Sequence, residues 1–96
     1  MRRAAKVDRN QGQIVEALRK VGASVAITSG LGRGFPDLVA GYRKVNTLIE
    51  VKDGTAPPSK RRLTPDEQAW HDGWRGQVCV VETVEEALQA IGAVQP

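Results

Sequence analysis

The stretch PDLVAGYRKVNTLIEVK, residues 36–52, decides the fold. Residues 37–42 and 45–52 are both apolar and rich in strand formers, and the few polar residues between them mark a β-hairpin. Side chains alternate faces along a strand, so Glu50 and Lys52 project from the same side about 7 Å apart. Two registers are compatible with the sequence. If Arg43 and Lys44 alone form the turn, Asp37 faces Glu50; if residues 43–46 form a four-residue loop, Asp37 faces Lys52. Either register gathers the three side chains on one face, whereas a slip of one residue sends Asp37 to the other. Two carboxylates and an ammonium converging at a strand end make a hard-oxygen site for Mg²⁺ with a fixed cation beside it. That combination suits phosphodiester hydrolysis.

Outward from the hairpin, Ile14, Ala17, Leu18 and Val21 fall on one stripe at the helical period, which predicts a helix over residues 10–21 with Asn10 as its N-cap. Gly22 ends it. Residues 23–28 (ASVAIT) read as a first strand, and the glycine-rich residues 29–34 as a flexible loop leading to Pro36-Asp37. Residues 54–62 hold Pro57-Pro58 and three cations and read as an exposed loop close to Lys52. Thr64-Pro65-Asp66-Glu67 carries the cap, the N1 proline and the glutamate of a capping box, opening a helix that ends near Gly76. A short apolar strand over residues 77–82 follows. A second capping box at Thr83 starts a helix reaching residue 93 or so. The element order is αβββαβα: a three-stranded meander, then a helical crossover to a fourth strand parallel to the third, giving a mixed sheet.

A chain of 96 residues makes one domain and buries only about 60–65% of the surface its unfolded form exposes. With four large rings (Phe35, Tyr42, Trp70, Trp74) the core must be aliphatic, and dimerisation would enlarge it. The formal charge of +3 is mild, but its arrangement is informative. Arg2, Arg3, Lys6 and Arg9 crowd a basic N-terminal segment, residues 1–9, ahead of a single domain over residues 10–96. Lys60, Arg61 and Arg62 form a second cluster, and Arg33 stands in the glycine-rich loop. A cation neutralising Asp37 and Glu50 would leave this surface clearly positive, so a polyanion is the expected partner. Cys79 is the only cysteine; an internal disulfide and a cysteine zinc cluster are excluded, and it reads as an inert core thiol. Neither a membrane-length apolar run nor a signal-peptide core is present, which points to the cytoplasm.

Other features have plainer readings. Gly30, Gly32 and Gly34 do not form a dinucleotide or Walker loop, because a strand and not a helix follows them. His71 has no second His or Cys to help it bind zinc and reads as a helix-surface residue. Trp70 and Trp74, four residues apart, read as packing their helix on the sheet rather than stacking bases. The Asp37, Glu50 and Lys52 trio could serve only as a structural ion pair, but charges on a central strand are costly to bury for that purpose.

Taken together, Pro36-Asp37-Leu38, Glu50-Val51-Lys52, the αβββαβ order and residues 63–71 (LTPDEQAWH) resemble the virus-type replication-repair nuclease (VRR-NUC) domain. This is a branch of the PD-(D/E)XK nuclease superfamily, frequent as small free-standing phage proteins. The likeness runs over residues 8–93. It implies a restriction-endonuclease-like α/β core with a mixed central sheet flanked by helices. It also implies a metal-dependent DNA endonuclease, similar to Holliday-junction resolvases, that acts as a homodimer on branched or structured DNA in phage replication or repair, in the host cytoplasm if phage-encoded. On this resemblance Asp37 and Glu50 would bind Mg²⁺ or Mn²⁺ with the backbone carbonyl of Val51, and no small-molecule cofactor is implied. Lys52 would position or activate water and stabilise transition-state charge. Arg33, Lys60, Arg61 and Arg62 would contact DNA phosphates. Relatives carry a glutamate just before the position of Ile14 where this chain has Gln13, which can reach a metal only through water; Glu16 falls on the opposite side of the helix. Weaker metal binding or lower activity is expected, and a nuclease-fold DNA-binding module without catalysis is the alternative. A glutamine early in the Thr64 helix is also usual, a role open to Gln68 or Glu67. A partner-binding protein with merely solubilising basic loops is the third reading.

Overall fold

Arg43 and Lys44 form the whole of the hairpin turn in the computed structural model, which describes residues 7–95. Arg2, Arg3 and Lys6 of the basic N-terminal segment lie outside the described residues. Both turn residues take positive φ, 51° and 68°, the mirror-image turn whose twist matches that of the flanking strands. This selects the first of the two registers. Strands β2 (Leu38–Tyr42) and β3 (Val45–Val51) pair antiparallel with Leu38 opposite Ile49 and Tyr42 opposite Val45. Neither turn residue is a glycine, and the left-handed conformation costs an ordinary side chain about 1–2 kcal/mol. Lys44→Gly is therefore expected to stabilise the protein by about 0.5–1 kcal/mol, seen as a Tm higher by a few degrees; an unchanged or lower Tm would contradict the turn assignment.

Strand β1 (Ser24–Ile27) pairs antiparallel with β2, and β4 (Cys79–Val81) runs parallel to β3, giving a four-stranded mixed sheet in the order β1-β2-β3-β4. Helices α1 (Gln11–Lys20) and α4 (Val84–Ala90) cover one face. Ile14 and Leu18 of α1, with Ala87 and the following Ile91, close on Leu38, Ala40, Ile49, Val51 and Val81 to form an aliphatic core. Glu50 points the other way, since its neighbours Ile49 and Val51 face that core. The pairing brings four strand ends together at one edge of the sheet: the end of β1, the start of β2, and the ends of β3 and β4. Asn10 precedes α1 as predicted, but its side chain makes no capping bond. Instead its Nδ2 donates to the carbonyls of Lys52 at 3.0 Å and Glu82 at 2.9 Å, pinning the start of α1 across this edge.

One expectation needs correction. Residues 54–62 are not wholly a loop, because Pro58–Arg61 form one helical turn, α2, with Pro58 placed at its start, where a fixed φ and a missing N–H cost nothing. The ring contacts of the tryptophans of α3 (Pro65–Gly73) and its C-cap are with Phe35, His71 and each other. Trp70 packs edge-on against Phe35 at 5.2 Å and stacks on Trp74 at 4.6 Å. The capping box at Thr64 is complete, with Thr64 Oγ1 accepting from the Glu67 amide and Glu67 Oε1 from the Thr64 amide.

Candidate functional site

Asp37 sits one residue before β2, where the chain is fixed from two sides. Its carbonyl accepts from the Thr28 amide at 2.7 Å, and its Oδ2 accepts from the Val51 amide at 2.8 Å. The loop that delivers it is held at Gly34, with φ of 81°, where any Cβ would collide with the Asp66 backbone at the start of α3. Only glycine permits that approach. The Gly-rich loop is thus anchored to α3 at this point.

Glu50 and Lys52 are 2% and 6% exposed, so the end of β3 and the residue after it are interior positions carrying two ionisable groups. Burial, then the adjoining Asp37 carboxyl, pushes the Glu50 pKa up to about 10. Glu50 Oε1 is buried and meets no hydrogen-bond donor among the described residues. Lys52 Nζ lies 3.9 Å from Glu50 Oε2 but only 2.6 Å from Glu67 Oε1. Burial alone would lower the lysine's pKa, yet the Glu67 bond, with Glu50 and Asp8 nearby, outweighs it and the net shift is upward. Glu67 moves the opposite way: burial works against its charge, but Lys52 and the Thr64 amide prevail and lower it. Lys52 is therefore an ammonium held by α3, and a poor candidate for a base in this state. Of the two α3 candidates, Glu67 reaches Lys52, while Gln68 Nε2 donates to Asp72 one turn on.

The first helix departs from expectation in detail. Gln13 and Glu16 are both exposed. The buried polar residue of α1 is Gln11, 4% exposed, whose Nε2 donates to Ser29 Oγ at 3.4 Å and whose Oε1 has no donor among the described residues. It was legible as a polar residue in register with Ile14 and Leu18, at i, i+3 and i+7. Asp8 was not legible, since nothing in its own segment marks it. Burial first, then Asp37, Asp53 and Glu67, raise its pKa against the pull of Lys52, which places it within electrostatic reach of the trio.

Among the basic residues, Arg33, Lys60 and Arg62 are exposed, but Arg61 is half-buried and paired with Glu82 at 3.3 Å. His71 is half-buried and edge-on to Trp70 at 5.9 Å. Cys79 lies partly buried with its Sγ 3.6 Å from the Leu48 carbonyl, and burial raises its pKa.

Among the described residues no three His, Cys, Asp or Glu side chains form a ready metal cluster. What the site offers a cation is narrower: a pair of adjacent carboxyls, Asp37 and Glu50, with an orphaned buried oxygen between protein walls. Such a pair needs either a proton or a cation between its members, so the donor set suits a hard divalent ion.

No family model matches the sequence, and no curated protein matches it. A solved structure titled "VRR_NUC domain" superimposes on the chain with a TM-score of 0.61 and 29% identity, covering 84% of this chain and 88% of that one. A four-stranded mixed sheet with flanking helices, aligned over that length and carrying Pro36-Asp37 and Glu50-Val51-Lys52 at one sheet edge, gives the chain the nuclease-like fold of that VRR_NUC domain structure.

Proposed function

We propose that the protein is a divalent-metal-dependent endonuclease acting on branched or otherwise structured DNA. The observation that carries this is the convergence of Asp37, Glu50 and Lys52 on one edge of the sheet, where burial and the adjoining Asp37 carboxyl raise the Glu50 pKa. Asp37 and Glu50 would hold Mg²⁺ or Mn²⁺, which when bound supplies charge neutralisation at the phosphate and a more acidic water. The Val51 amide orients Asp37. Lys52, fixed as an ammonium between Glu50 and Glu67, is set to stabilise negative charge developing on the phosphate. Exposed Arg33, Lys60 and Arg62 are free to meet phosphates, a role less suited to the paired Arg61. A homodimer belongs to the same proposal, since two-fold symmetry presents two sites to the two strands of a junction.

A second reading, a DNA-binding module that has lost catalysis, draws on α1, whose buried polar side chain is the amide of Gln11 rather than a carboxylate. One experiment separates them. Labelled four-way junctions, flaps and linear duplex are incubated with Mg²⁺ or Mn²⁺. The nuclease reading expects metal-dependent cutting of the branched substrates, reduced to background by Asp37→Ala. Binding without cutting in either metal, or undiminished cutting by the variant, defeats it.

A further inference from the structure

Glu67, Trp70 and Trp74 stand at i, i+3 and i+7 along α3 and its C-cap, a spacing that lines them on one stripe. The first turn of that stripe holds Lys52; the later turns carry rings. Phe35, two residues before Asp37, meets Trp70 edge-on at 5.2 Å, and Trp70 stacks on Trp74 at 4.6 Å with 19° between their planes. The ladder therefore begins beside the candidate catalytic residues and runs outward. It ends in the open: Trp74 is 43% exposed. Its ring is fixed all the same, because Nε1 donates to the Gln77 carbonyl at 3.1 Å and Gly76, lacking a side chain, lies against the ring edge. Arg75, the next residue, is exposed, as is Arg33 in the loop that also carries Phe35. A rigid half-exposed indole, followed in the chain by an exposed arginine, fits an unpaired nucleobase with its phosphate, and seven residues of helix, about 10 Å, set it within about three nucleotide steps of Lys52.

We propose that Trp74, backed by Trp70 and flanked by Arg75, is a stacking platform for an unpaired base next to the cleavage site, giving the enzyme its preference for DNA with single-stranded or frayed segments. This rests on the nuclease reading for its purpose, though not for its test. Binding of fluorescently labelled oligo(dT) and of blunt duplex is measured by anisotropy in EDTA at fixed salt, for wild type, Trp74→Ala and Trp74→Phe, with Tm recorded for each. Trp74→Ala is expected to lose about tenfold in oligo(dT) affinity, the size of one base–ring contact. Trp74→Phe should lose less than threefold, and duplex binding should stay within about twofold for both. Unaltered oligo(dT) binding by Trp74→Ala, or an equal loss on duplex, overturns the platform. The cleavage assay with Mn²⁺ is run beside it. Ring-dependent binding without any cutting would defeat the nuclease reading alone, and cutting with ring-independent binding would defeat the platform alone.

Discussion

Lys52→Met is expected to cut strand cleavage by roughly a thousandfold while leaving Mn²⁺ binding intact. The ammonium contributes no donor to a cation but sits 3.9 Å from Glu50 and 2.6 Å from Glu67, so its loss removes positive charge from the place where the phosphate becomes more negative. Its raised pKa argues that this charge, and not proton abstraction, is its contribution. Lys52→Arg distinguishes the two, because a guanidinium does not give up its proton. A charge role leaves Lys52→Arg measurably more active than Lys52→Met; a base role leaves both equally dead. Glu67→Gln should preserve the acceptor of the capping box yet release the lysine from its charged partner. A drop of about tenfold in kcat is expected together with a lower Tm, since the buried ammonium loses its charged partner while the Thr64 amide keeps its acceptor. Single-turnover rates with a labelled junction decide each case, and full activity in Lys52→Met would remove the lysine from the mechanism.

How far the sequence reached depends on where the controlling contacts lie. The αβββαβα order, the parallel fourth strand and the Thr64 capping box follow from local chemistry and periodicity, and the structure has them with short helical turns added, α2 among them. The hairpin register stayed open because Arg-Lys carries no Asn-Gly signal; only strand twist forces both residues to positive φ. Gln77 shows the same limit. It reads as the start of the fourth strand, but the strand begins at Cys79, and it is the Gln77 side chain that extends the ladder, exchanging hydrogen bonds with the Leu48 amide and carbonyl. At the site, Asp37, Glu50 and Lys52 were readable from alternation within one hairpin. The choice of Glu67 over Gln68 and the approach of Asp8 depend on contacts between distant segments, which no window of sequence contains, whereas Gln11 lies on the stripe of Ile14 and Leu18.

Glu50→Gln should yield a protein more stable than wild type at alkaline pH and without cleavage activity. In the metal-free fold Glu50 keeps its proton to about pH 10, against an ordinary value of 4.5. Between those limits the folded state binds a proton that the unfolded chain has released, so stability falls as pH rises through the window and is unaffected by this group below it. In EDTA, wild-type Tm should therefore decline from about pH 5 toward pH 10, while Glu50→Gln, which has no proton to lose, should show a flatter profile and a Tm higher by about 5 °C or more at pH 9. Mn²⁺ should reverse the ordering. A cation bound to the native state stabilises it by mass action, and wild type offers two carboxylates where the variant offers one, so the metal should raise the wild-type Tm far more. Equal responses of the two proteins to Mn²⁺, or a wild-type profile that does not fall with pH, would mean that Glu50 is a structural acid with no claim on a metal. Burying an acid beside a second carboxyl makes its ionised form costly to the fold, and that cost is what the amide substitution removes together with the chemistry.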